Sequence, residues 1–135
     1  MKGSCLCGQV QYAIEPPLKI FQFCHCSRCQ KFTGSMHSAN IFVPPEQFRW
    51  VAGENLVGRY ELPDSKYLTT AFCQSCGSSL PATIKGGSNV IVPAGTLDDD
   101  PGIRPQRSVF WGSRAVWCVE TGELDKHDEL PPRKK

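Results

Sequence analysis

Seven of the eight cysteines stand in three groups: Cys5-Leu-Cys7, Cys24-His-Cys26-Ser-Arg-Cys29 and Cys73-Gln-Ser-Cys76. Grouped thiolates hold soft divalent metals, zinc above all, which asks for four sulfur or imidazole ligands in a tetrahedron. Ligand sulfurs then sit just under ~4 Å apart, so they must come from tight turns or from one face of a strand. Cys73–Cys76 is a C-x2-C turn followed by Gly77, a residue that lets backbone pass close to an ion. Cys5 and Cys7 can converge as residues i and i+2 of a strand, with Gly8 relieving the bend. The same alternation turns His25 away from Cys24 and Cys26, so His25 is not expected to bind their ion.

Seven ligands divide naturally as four plus three. Four protein ligands close a site and make it structural; three leave one position for water or substrate. Cys24, Cys26 and Cys29 supply three thiols within six residues, the number an open site needs. Cys5, Cys7, Cys73 and Cys76 would then close the other and tie the N-terminus to the middle of the chain. Such a staple suits a small β domain with a modest core. Spacing equally permits Cys26–Cys29 with Cys73–Cys76 as a C-x2-C…C-x2-C ribbon, which leaves Cys5, Cys7 and Cys24 over. It also permits clusters that fold the protein through zinc and perform no chemistry. Arg28 and Lys31 flank the middle cluster. They could offset its charge or meet the carboxylates of a peptide-like thiol; ordinary surface charge is the alternative. Cys118, between Trp117 and Val119, reads as a buried inert thiol. His37 reads as a polar loop residue rather than a proton-transfer group, and His127 as solvated.

The elements that must position these groups are short. Twelve glycines and eleven prolines among 135 residues favour strands and turns over long helices. Alternation marks strands at 9–15, with Val10, Tyr12 and Ile14 on one face, and at 39–43. Further short strands are expected at 48–51, 58–62, 67–72, 79–84, 89–92 and 115–119. Gly86-Gly87 suits a hairpin between two of them. A turn or two of helix is expected at 27–33, and another turn near Glu46. Phe21, Phe23, Phe32, Phe42, Phe72, Trp111 and Trp117 read chiefly as core. Gly95 to Asp98 reads as a turn in which Asp98 bonds backbone N–H groups.

The length argues for one domain, taken as residues 1–124, with 125–135 as a charged, solvated tail. A formal charge of +2 is too small to steer nucleic acid or a membrane surface. No apolar run approaches the ~18 residues of a membrane span, and the polar start with two cysteines is unlike a signal peptide. A reducing cytosol is therefore expected, where clustered thiols mean metal or catalysis more often than disulfides.

Four stretches carry a resemblance: Gly3-Ser-Cys-Leu-Cys-Gly-Gln-Val-Gln-Tyr12, Phe23-Cys-His-Cys-Ser-Arg-Cys-Gln-Lys-Phe-Thr-Gly34, Phe72-Cys-Gln-Ser-Cys-Gly77 and Ala94-Gly-Thr-Leu-Asp98. In this order they resemble the glutathione-dependent formaldehyde-activating (GFA) family, over about residues 3–117. The resemblance implies a mainly β, Mss4-like fold of small antiparallel sheets around zinc. It implies Cys5, Cys7, Cys73 and Cys76 as structural zinc ligands, and Cys24, Cys26 and Cys29 as the ligands of a catalytic zinc. It also implies the family's activity, the joining of glutathione and formaldehyde into S-hydroxymethylglutathione, a carbon–sulfur lyase reaction in reverse. The chain departs from the pattern where members often carry His-Ile-Phe and then Pro-Trp: here stand Ser108-Val109-Phe110 and Val116-Trp117. A non-enzymatic zinc module that binds a partner or carries metal is the rival on the same fold.

Overall fold

Tyr12 and Ile14 lie two residues apart and both bury completely, so one face of their strand begins the core. The protein is described, for residues 1–133, by a computed structural model. Their strand, β2 (Gln11–Ile14), is the centre of a three-stranded sheet between β1 (Lys2–Ser4) and β5 (Phe48–Ala52). A five-stranded sheet runs in the order β11 (Arg107–Val109), β3 (Ile20–Cys24), β4 (Ser38–Val43), β10 (Val90–Pro93), β9 (Ala82–Thr83). A third sheet joins β6 (Val57–Glu61), β7 (Thr69–Cys73) and β8 (Ser79–Leu80). The mainly β architecture of small sheets is as expected. One pairing departs from the antiparallel expectation: β11 runs parallel to β3. The chain crosses other sheets between those two strands, and a parallel pair needs such a long return.

Alternation in the five-stranded sheet serves two layers. Phe21, Ile41, Val43, Val90 and Val92 join Tyr12 and Ile14 in the main core. Gln22, Cys24, Asn40, Phe42 and Ile91 take the opposite face and floor a cavity. A second core cluster gathers Cys5, Val10, Ala71, Cys73, Leu80 and Ala82, so the N-terminal turn packs directly on the third sheet.

The helix α1 (Ser27–Thr33) occupies its expected span. The Cys26 sulfur accepts the Cys29 N–H at its start, and Gly34, in left-handed backbone, ends it. The turn near Glu46 is present at Pro45–Gln47. The expected strand at 79–84 is split at Pro81, which has no N–H for a ladder. Its two halves pair with different neighbours, β8 with β7 and β9 with β10. The strand expected at 67–72 begins instead at Thr69. Tyr67 and Leu68 belong to a loop held by Lys85, whose ammonium donates to the Leu62 and Ser65 carbonyls. Sequence pattern missed β1 and β11, too short to show a period, and β3, which carries apolar residues on both faces and so does not alternate.

The segment 115–119 is not a strand: it pairs with none of the three sheets, and Cys118 N–H closes a turn onto the Ala115 carbonyl. Trp117 and Val116 are accordingly exposed, and Cys118 is half-buried rather than buried. Phe72 is also exposed, because on β7 it points opposite to the buried Thr69, Ala71 and Cys73. Phe32 and Trp111 lie at the surface too, while Phe21 is core. Asp98 accepts the Ser4 hydroxyl, and it is Asp99 that takes a backbone N–H, that of Lys2. Residues 125–133 are exposed and form neither helix nor strand; Lys134 and Lys135, the end of the expected tail, lie outside the described residues.

Candidate functional site

Cys5 and Cys7 converge through a turn closed by the Gly8 N–H on the Cys5 carbonyl, not through a strand, since β1 stops at Ser4. Cys73 and Cys76 come from the turn after β7, where the Gly77 N–H bonds the Cys73 carbonyl at 2.7 Å. The sulfurs of Cys5 and Cys7 are 3.5 Å apart and those of Cys7 and Cys73 3.9 Å. All four lie within 4.8 Å of one another, and they could hold one metal ion. That spacing is close to the edge of a zinc–thiolate tetrahedron. The Ser78 hydroxyl and amide bring the Cys76 thiol down to about 5. At Cys5, burial works against ionisation, but the Val10 N–H and the neighbouring sulfurs outweigh it and lower the pKa. At Cys73 the Cys76 amide pulls downward, yet burial and the shared thiol hydrogens win and raise it. Four sulfurs within reach of one ion, Cys5 and Cys73 buried in a hydrophobic cluster, Cys76 half-buried and Cys7 exposed, are a donor set that fits a soft divalent cation.

The second group forms where β3 runs into α1. Cys24 ends the strand, Cys26 caps the helix and Cys29 lies in its first turn. Their sulfurs also lie within 4.8 Å of one another and could hold a metal. Burial raises the Cys24 and Cys29 thiols. Cys26 feels burial too, but the Cys29 N–H and the adjacent sulfurs outweigh it, so its pKa falls. Cys26 is thus the most readily ionised of the three, and a bound cation would favour the thiolate form of all of them. The grouping is Cys5, Cys7, Cys73 and Cys76 on one side and Cys24, Cys26 and Cys29 on the other; the ribbon pairing of Cys26–Cys29 with Cys73–Cys76 does not form.

The three-cysteine group lines a cavity of about 470 Å³, with Arg28 in the same lining. Lys31 does not reach it and lines an adjoining cleft of about 410 Å³ that shares Arg28 and Phe32. His25 is outside both sulfur groups. Its buried ring meets Trp111 and His37 edge-on, each at 5.0 Å, and its Nε2 is 3.3 Å from the Ser108 hydroxyl. Burial, then the fields of His37 and Arg114, lower its pKa, so it is neutral at pH 7. His37 stacks on Phe23 at 4.1 Å. Ser108 thus turns toward His25, whereas its neighbours Val109 and Phe110 line the cavity. Sequence reasoning missed Asn40, buried in the cavity floor. No sequence signal marked it, because only the pairing of β4 with β3 and β10 shows which face the amide takes.

The fold and site define a protein of small sheets with two thiol-lined centres, one of four cysteines and one of three beside a cavity. The family model for the glutathione-dependent formaldehyde-activating enzyme, GFA, matches residues 1–113, and the chain belongs to this family. A crystal structure of a Rhodobacter sphaeroides protein superposes with a TM-score of 0.63 at 21% identity, covering 80% of this chain and 98% of that one. That likeness shows a shared fold. A search among curated proteins finds no match. None of the described helices is long and apolar enough to cross a membrane.

Proposed function

We propose that this chain is a zinc-dependent carbon–sulfur lyase-type enzyme acting on a thiol–aldehyde adduct, with glutathione and formaldehyde, as S-hydroxymethylglutathione, the reference pair. The observation that carries the reading is a three-thiol group opening on a cavity large enough for a ligand. Cys24, Cys26 and Cys29 would hold the reactive zinc, and Cys5, Cys7, Cys73 and Cys76 a structural one. Zinc at the open site supplies positive charge that keeps a thiol ionised at neutral pH. The chain's own residues do the rest. The cavity walls keep the substrate sulfur and the aldehyde carbon together and limit water. Arg28 pairs with a substrate carboxylate, and Lys31 extends positive charge along the neighbouring cleft. As the sulfur adds, a C–S bond forms and the carbonyl pair moves to oxygen, which takes a proton; the reverse step returns both. On this reading residues 1–124 form the domain, 125–135 are a solvated tail, and the protein works in the cytosol, a setting that its free cysteines suit.

Cys26→Ser tests the proposal. Bound metal should fall by about one ion per chain, and catalysis of adduct formation by roughly two orders of magnitude, with the circular dichroism unchanged. Full activity in that variant would overturn the open-site mechanism. Two bound metals with no acceleration of any thiol–aldehyde reaction would point to the metal-carrying module instead.

A further inference from the structure

A carbonyl as small as formaldehyde displaces little more than one water, whose share of the liquid is about 30 Å³. The cavity holds about 470 Å³, so most of its space belongs to the rest of the ligand. Its surface is mainly apolar. Phe42 and Ile91 line it from the sheet, Leu68 from a loop, and Phe32 and Phe110 from exposed positions. Phe110 is held there in left-handed backbone, φ 54°, a conformation that only its surroundings can impose on a non-glycine residue. Among the described residues, Arg28 is the one cationic side chain in the lining, and no aspartate or glutamate contributes. Glutathione carries two carboxylates and an ammonium. Arg28 can pair with one carboxylate. The ammonium would shed water against aromatic and aliphatic surface with no carboxylate to receive it, which is costly. Two amides interrupt the floor, Gln22 and Asn40: the buried Asn40 donates from Nδ2 to Ser38 Oγ at 3.1 Å, which leaves Oδ1 as an acceptor.

Resting on the thiol–aldehyde reading above, we propose that this site prefers the adduct of an apolar, aromatic aldehyde with a thiol bearing a single carboxylate over the adduct of formaldehyde with glutathione. The thiolate sulfur adds to the aldehyde carbon, the carbonyl π pair goes to oxygen, and water supplies that oxygen's proton. The carboxylate pairs with Arg28, the new hydroxyl donates to Asn40 Oδ1, and the aromatic group packs among Phe32, Phe42 and Phe110.

Stable thioethers separate this inference from the question of turnover. Calorimetry on the zinc-loaded protein should show 3-(benzylthio)propionate binding at least about tenfold tighter than S-methylglutathione. Arg28→Gln and Phe110→Ala, both at exposed positions that the fold does not need, should each weaken it by about tenfold. Equal affinities, the reverse order, or no binding of either probe would overturn the inference, even if the formaldehyde–glutathione reaction is accelerated. The tenfold preference without acceleration of any adduct would support this ligand class while sinking the enzymatic reading.

Discussion

Tyr12 shows how one side chain couples burial to pH. Its ring is fully buried, and its hydroxyl lies 2.6 Å from Thr96 Oγ1. Thr96 spends its own proton on the Pro93 carbonyl, so Tyr12 is the donor. Burial is the main reason that the phenol is pushed up to about 12 from 10. A raised acid favours the protonated fold, so this contribution is intact below pH 10 and is lost as pH climbs toward 12. The loss amounts to about 2–3 kcal/mol. Denaturant melts across pH 9–12 should therefore show a steeper decline for the parent than for Tyr12→Phe; parallel declines would contradict this. The cysteines were legible residue by residue because thiol clusters have few uses. Asn40 was not, since a lone amide announces no function until the sheet shows which face it occupies.

At the scale of elements, turns decide where strands may go. Gly53 and Gly86 both adopt positive φ, yet they differ in surroundings. A Cβ on Gly86 would meet open space in the hairpin between β9 and β10, whereas one on Gly53 would overlap the Gln9 carbonyl. Gly86→Ala should then cost only the backbone strain, about 1–2 kcal/mol. Gly53→Ala should cost clearly more, because backbone rather than a mobile side chain must shift. Comparing the two by urea denaturation checks the difference. The hairpin at Gly86-Gly87 and the helix at 27–33 could be read from local signals alone. The break at Pro81 could be foreseen only as a lost ladder bond; that its two halves serve different sheets is a matter of topology. The misread strand at 115–119 has the same origin, for an apolar run becomes a strand only where the topology pairs it, and here it closes a turn instead.

For the whole molecule, the four-cysteine group joins turns that lie about half the chain apart, and two of its members, Cys5 and Cys73, belong to the second core cluster. Cys73 is fully buried there. With metal bound, Cys73→Ser should lower the melting temperature by roughly 10 °C or more, since site and packing are lost together. Cys26→Ser, at the cavity, should shift it by much less; equal losses would show that both groups are structural. Chelation should likewise remove one ion before the fold yields. The sequence by itself determined the sulfur inventory, the short-strand architecture and the family, because ligand spacing and turn residues act over a few positions. Only the tertiary structure decided which cysteines meet, that Arg28 but not Lys31 reaches the cavity, and that Ser108 faces His25. Those outcomes depend on sheet register and on which strand edges are already paired, and both are set by contacts between residues remote in the chain.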